Sequence, residues 1–175
     1  MTMPAERRDF LSPLEPVVYL DSTYTIAYFD ATERFHAGCN AFSQRLEAES
    51  VLPAVSDLVY NELAFHHLKS AFVAEGRRLS RSWIWVKRNM PQVFTAAMSE
   101  VKASKTELER TTLKLPISDA VMTRAFQLME DFHLLPTDAF HISTALESNV
   151  TAFVTLDRDF LAVDGIIVYT CLLPR

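Results

Sequence analysis

The chain alternates short, nearly unbroken apolar runs with stretches in which apolar residues recur every three or four positions. Val17 to Asp21, Val51 to Val55, Ala152 to Leu156 and Ile166 to Thr170 are runs of the first kind, rich in β-branched and aromatic residues. A strand in a parallel sheet reads this way, because both of its faces are covered and neither needs polar residues for water. Phe35, Cys39, Phe42 and Leu46 fall on one helical face, as do Val121, Ala125, Leu128 and Phe132. Ser56, Ser118 and Thr137 stand directly before helical patterns, where a hydroxyl can accept an unpaired first-turn N–H, so each is expected as an N-cap. Strands separated by helices predict right-handed crossovers and an α/β fold, with a central parallel sheet between helical layers.

The pattern changes from about Val73 to Leu115. Trp83, Ile84, Val86, Met90, Val93, Phe94 and Met98 predict one or two helices in a stretch longer than a minimal connection. It is expected as a helical insertion of about 73–115 within a single domain over 17–175, preceded by a flexible extension over 1–16. A lid, a dimer surface that would make a homodimer, and a partner-binding arm are the three uses open to it. A chain of 175 residues, 49% of them hydrophobic, is long enough for one full core and too short for two large ones.

The net charge of −5 argues against nucleic-acid affinity spread over the whole surface, but the charge is uneven. Between Lys69 and Lys114 there are ten Lys or Arg against four Glu, a local +6 that leaves −11 for the remainder. Arg77, Arg78 and Arg81 are the densest part of this segment and the candidates for contact with a phosphate backbone, against the plain reading of a solvated helical face. Cys39 and Cys171 show neither C-x-x-C spacing nor the density of a disulfide scaffold, which favours a reducing compartment. Met1 to Pro16 carries Arg7 and Arg8 but no long apolar core, and no segment approaches the roughly 20 apolar residues needed to span a bilayer. A cytoplasmic protein without membrane partners is the expectation. None of the three glycines builds a phosphate-cradling loop.

Four carboxylates stand inside or at the ends of these apolar runs: Asp21, Glu62, Asp138 and Asp157. Acidic side chains are rarely buried unless paired or bound to metal. Carboxylates gathered without basic partners repel one another, so a shared cluster makes sense mainly around divalent cations. In open parallel sheets ligands collect outside the carboxyl ends of the strands. Asp21 and Asp157 are expected at such ends, Asp138 on the first turn of its helix and Glu62 about two turns into another. The chemistry this predicts is Mg²⁺- or Mn²⁺-dependent hydrolysis of a phosphodiester.

The stretches Val18-Tyr19-Leu20-Asp21-Ser22, Ser56 to Leu63, Leu135 to Ala145 and Phe153 to Phe160 resemble, in order, the PIN-domain nucleases, and among them the toxin ribonucleases of VapC type. The resemblance covers roughly residues 17–72 and 116–171. It implies a PIN-like three-layer α/β/α fold and a metal-dependent endoribonuclease. It implies that Asp21, Glu62, Asp138 and Asp157 are the acidic metal-site positions, with Asp159 as a fifth metal ligand. Ser22 and Thr155 match the hydroxyl residues that hydrogen-bond the first and last carboxylates. Two ions are implied, Asp21 bridging, Glu62 and Asp138 on the first, Asp157 and Asp159 on the second. The implied substrate is RNA, cut to leave a 5′-phosphate and a 3′-hydroxyl, and the implied partner is a separately encoded antitoxin.

His66 follows Glu62 by four residues and His141 follows Asp138 by three. Both, with His67, read as packing or capping histidines, because no H-E-x-x-H zinc spacing is present. Asp57 reads as a helix-start carboxylate favoured by the dipole. Asp21-Ser22-Thr23-Tyr24-Thr25 has the Asp-x-Thr-x-Thr form of a phosphorylated-aspartate loop, but the chain has no Gly-Asp pair for that chemistry's metal loop. The alternative from another class is a non-catalytic PIN-like protein that only binds RNA or a partner.

Overall fold

A computed structural model describes residues 4–173. In chain order its elements are β1 (Glu6–Arg8), β2 (Val17–Leu20), α1 (Ser22–Phe29), α2 (His36–Ala48), β3 (Leu52–Ser56), α3 (Asp57–Leu79), α4 (Trp83–Asn89), α5 (Pro91–Thr111), β4 (Leu113–Leu115), α6 (Asp119–Phe132), α7 (Pro136–Glu147), β5 (Ala152–Val154), a 3₁₀ turn (Asp159–Ala162) and β6 (Ile167–Tyr169). The strands form one all-parallel sheet in the order β1-β6-β5-β2-β3-β4. The fold is a three-layer α/β/α arrangement around that sheet, as the alternation of strand and helix patterns requires. The chain divides into two compact units, residues 1–59 with 112–175, and Tyr60–Thr111.

The first unit holds the sheet. Val18, Tyr19, Val55, Phe153, Val154 and Val168 are wholly buried, which accounts for the unbroken apolar runs of β2, β3, β5 and β6. Phe10 stacks on Phe42 with ring centroids 4.1 Å apart, and Phe42 packs in turn on Tyr24 and Tyr169. Two helices enter strands through the same device. At the end of α2 the Ser50 N–H donates to Glu47 O and the Val51 N–H to Leu46 O, with Ser50 at φ 56°. At the end of α7 the Asn149 N–H donates to Leu146 O and the Val150 N–H to Ala145 O, with Asn149 at φ 58°. Both are Schellman ends, in which a left-handed residue satisfies the last carbonyls and turns the chain. The hydrophobic residue that follows, Val51 or Val150, is buried and leads into the strand.

Three expectations are corrected here. Residues 6–8, within the segment expected as a flexible extension, form β1 against β6; the start of that segment lies outside the described residues. Glu-Arg-Arg has no apolar signature, and its pairing is secured by Arg8, which donates to Glu6, Glu15, Pro13 O and Tyr169 Oη. Leu113–Leu115, expected as the tail of the insertion, pairs with β3 as β4, at the opposite edge of the sheet. Thr137 is not an N-cap: α7 begins at Pro136 behind Leu135, because proline lacks the N–H that a first-turn residue would leave unpaired and presets a helical φ. Ser118 does cap α6, accepting from the Val121 N–H.

The second unit carries most of α3 with α4 and α5. It begins earlier than the insertion expected from residue 73 and contains the expected helices. His67 Nε2 lies 2.9 Å from Ser104 Oγ, and Phe72 stacks on Phe94, joining α3 to α5. α3 also ends in a Schellman motif, Ser80 N to Arg77 O and Arg81 N to Gly76 O. The Arg81 carbonyl then passes so close to Gly76 that a Cβ there would sit 2.7 Å from it, so only glycine fits. Val86 is buried, whereas Ile84, Trp85 and Phe94 are exposed. Among the described residues no helix is long and apolar enough to cross a membrane.

Candidate metal centre

Because β2, β3 and β5 are parallel neighbours, their carboxyl ends share one rim. Asp21 directly follows β2 and caps α1, where its carboxylate accepts the Thr23 N–H. A capping carboxylate also benefits from the helix dipole. Asp21 is nevertheless 1% exposed, so its charge depends on what surrounds it. Its Oδ2 accepts from Thr23 Oγ1 at 2.6 Å and from Thr155 Oγ1 at 2.8 Å. Ser22 Oγ reaches Oδ1 only at 3.4 Å.

Thr155 and Thr23 form a small lattice beneath the rim. Thr155 Oγ1 accepts the Asp157 N–H at 2.8 Å, and Thr23 Oγ1 accepts the Leu156 N–H at 3.0 Å. The Asp157 carboxylate in turn accepts the Asp159 N–H at 2.9 Å. The loop after β5 is thereby fixed to the start of α1.

Asp138 sits on the first turn of α7. One carboxylate oxygen from each of Asp138, Asp157 and Asp159 lies within 4.8 Å of the others. Asp138 has its pKa pushed up to about 6, by burial first, then by the charges of Asp157 and Asp21, with His141 opposing and Asp159 adding. Asp157 is raised too, by burial above all, while the N–H groups of Asp159 and Arg158 hold it down and the carboxylates of Asp159 and Asp21 push it up. At both positions burial is the first cause of the shift and the neighbouring carboxylates add to it. An all-oxygen donor set in that electrostatic state fits a hard divalent cation.

Of the residues expected from the sequence, Asp21, Asp138, Asp157, Asp159, Ser22 and Thr155 gather on this rim of the first unit. Glu62 lies in the second turn of α3, and Arg77, Arg78 and Arg81 follow at and beyond the end of that helix; all four belong to the second unit. Arg78 is bound to Glu75 through two guanidinium nitrogens, and Arg81 lies over the Trp85 ring. Two residues outside the expected site set also border Asp21. Thr23 makes a shorter bond to Asp21 than Ser22 does, and the signal was available, since an N-cap carboxylate commonly accepts from the residue two positions on. His141 is wholly buried, with Nδ1 2.8 Å from Tyr19 Oη and Nε2 3.7 Å from Asp21 Oδ1. Tyr19 Oη also meets Ser56 Oγ at 2.7 Å, giving a buried chain from the end of β3 through β2 and α7 to Asp21.

No curated protein matches the sequence significantly. Solved structures are similar at low identity. A toxin–antitoxin complex from Klebsiella pneumoniae aligns with a TM-score of 0.55 at 19% identity, over 87% of this chain and 96% of that one. The Mycobacterium tuberculosis toxin VapC20, described as cleaving the sarcin-ricin loop, aligns with a TM-score of 0.53 at 14% identity, over 85% and 95%. VapBC2 from Rickettsia felis, bound to a DNA fragment from its promoter, aligns with a TM-score of 0.55 at 14% identity, over 87% and 96%. The sequence model of the PIN domain matches residues 18–166, and the chain therefore belongs to the PIN-domain family, whose members are generally ribonucleases.

Proposed function

We propose that this protein is a divalent-metal-dependent endoribonuclease and the toxin of a toxin–antitoxin pair. The observation that carries the reading is the convergence of Asp138, Asp157 and Asp159 within 4.8 Å, electrostatically coupled to the buried Asp21 on the same rim. Asp21, Asp138, Asp157 and Asp159 would hold Mg²⁺ or Mn²⁺, and Glu62 joins this set on the sequence pattern alone. Bound there, the metal would supply a water of lowered pKa and charge to neutralise the departing oxygen. The protein's own part is positional. Thr23 and Thr155 hold Oδ2 of Asp21, Thr155 and Asp157 fix the loop carrying Asp159, and His141, held by Tyr19, faces Oδ1 of Asp21.

The description of the Mycobacterium tuberculosis neighbour as a sarcin-ricin loop cleaving toxin supports an RNA loop as substrate, and the Klebsiella and Rickettsia neighbours support an antitoxin partner. Sequence-specific RNA recognition generally acts on unpaired bases. The basic stretch with Arg77, Arg78 and Arg81 is proposed to contact the backbone of such a strand, and the chain is proposed to act in the cytoplasm. Analysis of product ends tests the mechanism. Cleavage of single-stranded RNA should leave 5′-phosphate and 3′-hydroxyl ends, and a 2′,3′-cyclic phosphate would replace this reading with a metal-free attack by the 2′-hydroxyl.

A further inference from the structure

A cavity of about 440 Å³ opens beside the acidic rim, sharing Asp159 with it and lined further by Arg7, Arg158, Leu161, Thr170 and Leu172. Its two cations come from distant parts of the chain. Arg158 stands between Asp157 and Asp159, and Arg7 is the middle residue of β1, opposite Val168 of β6. Neighbouring side chains of a strand face opposite ways. Arg8 is occupied by its structural network with Glu6, Glu15 and Tyr169, while Arg7 is directed to the cavity. Arg7 donates to Leu172 O, and Arg158 donates to Leu173 O at 3.1 Å. Main-chain carbonyls do not neutralise charge, and each bond uses one of the five N–H donors of a guanidinium.

Two exposed guanidiniums at one cavity, beside carboxylates that would repel a polyanion, make a site for phosphate, which Arg binds through paired donors. We propose that this cavity is a phosphate subsite, in which Arg7 and Arg158 hold the RNA backbone next to the phosphodiester being cut. The subsite rests on the ribonuclease reading and gives the N-terminal strand a direct part in substrate binding. Leu161 and Leu172 supply an apolar wall beside the same strand of RNA.

The test is the salt dependence of binding of a fluorescent single-stranded RNA to the full chain, followed by anisotropy in chelator so that nothing is cut. In the Arg7→Ala/Arg158→Ala double variant the slope of log K against log salt should fall by about 1.4, the share of two phosphates on a single strand. Arg7→Lys/Arg158→Lys, which retains both charges, should keep the wild-type slope. A wild-type slope in the double Ala variant overturns the subsite, as does an equal fall in the Lys pair, which would place the effect in the packing of Leu172 and Leu173. Wild-type protein that cleaves RNA while the double Ala variant keeps its slope removes the subsite alone. Wild-type protein that neither binds nor cleaves RNA removes the ribonuclease reading with it.

Discussion

Thr155 Oγ1 donates to Asp21 Oδ2 at 2.8 Å and accepts the Asp157 N–H at the same distance, so one hydroxyl joins the carboxyl ends of β2 and β5. The bond orients a carboxylate buried at the rim and fixes the backbone on which two others ride. Groups that orient metal ligands are typically worth about 10–100-fold in metal affinity. Thr155→Val keeps the shape and removes the hydroxyl. It should weaken Mn²⁺ binding by about that factor in calorimetric titration, and Thr155→Ser should restore it. Unchanged affinity in the Val variant would show that Thr155 is only part of the core.

The raised pKa of Asp138 sets a pH dependence for the metal-free protein. In the unfolded chain this carboxyl returns to the ordinary carboxylate range, below its folded value of about 6. The folded state therefore binds more protons than the unfolded state between the two values, and stability falls as pH rises through that window. Asp138→Asn removes the charge. At pH 7.5 without metal it should be more stable than wild type by on the order of 1 kcal/mol after solvent screening. The difference should vanish below the unfolded value, where Asp138 is protonated in both states. Urea titrations at several pH values measure it, and a variant less stable than wild type at pH 7.5 would contradict the crowded-carboxylate account.

Tyr19 Oη serves both Ser56 and His141 in a fully buried setting. Tyr19→Phe keeps the ring against Phe153 and deletes the shared hydroxyl. Removing one partner from buried polar groups costs about 1–3 kcal/mol. The urea midpoint should drop accordingly with the m-value unchanged, and an unchanged midpoint would mean that this chain carries no stabilising free energy.

The basic residues of the second unit are open to a separate measurement. Replacing Arg77, Arg78 and Arg81 together by Ala should flatten the salt dependence of RNA binding by up to about 0.7 for each phosphate that these side chains neutralise. Arg78 is already bound to Glu75, so its share should be the smallest. An unchanged slope would leave these residues as a solvated face.

The strands were legible where burial writes itself into composition. Val17–Leu20 and Ala152–Val154 are covered on both faces and consist of apolar residues, so their positions and the carboxylates that follow them could be read directly. β1 could not, because the Glu6 side chain bonds to the nearby Arg8, while Arg7 and Arg8 are held by side-chain bonds to Leu172 and Tyr169, 165 and 161 positions along the chain. β4 is three residues long at a sheet edge, and its Leu-Lys-Leu pattern is too short to set a period. Asp138, Asp157 and Asp159 were readable as a group only through the fold they imply, since nothing local brings residues of α7 to the loop after β5. His141 reads from the sequence as a packing or capping histidine, and its pairing with Tyr19 depends on a contact across 122 positions.

The central claim is that the carboxylate rim acts through divalent metal on RNA. Cleavage of a single-stranded RNA should be followed with wild type, Asp21→Asn and Asp138→Asn, each with Mg²⁺ or Mn²⁺ and with excess chelator. Wild type should cut only with metal, and each variant should be slower by at least about 10²-fold, the scale of losing one charge-stabilising group from a catalytic site. Undiminished cleavage in chelator, or full activity in either variant, would contradict the account.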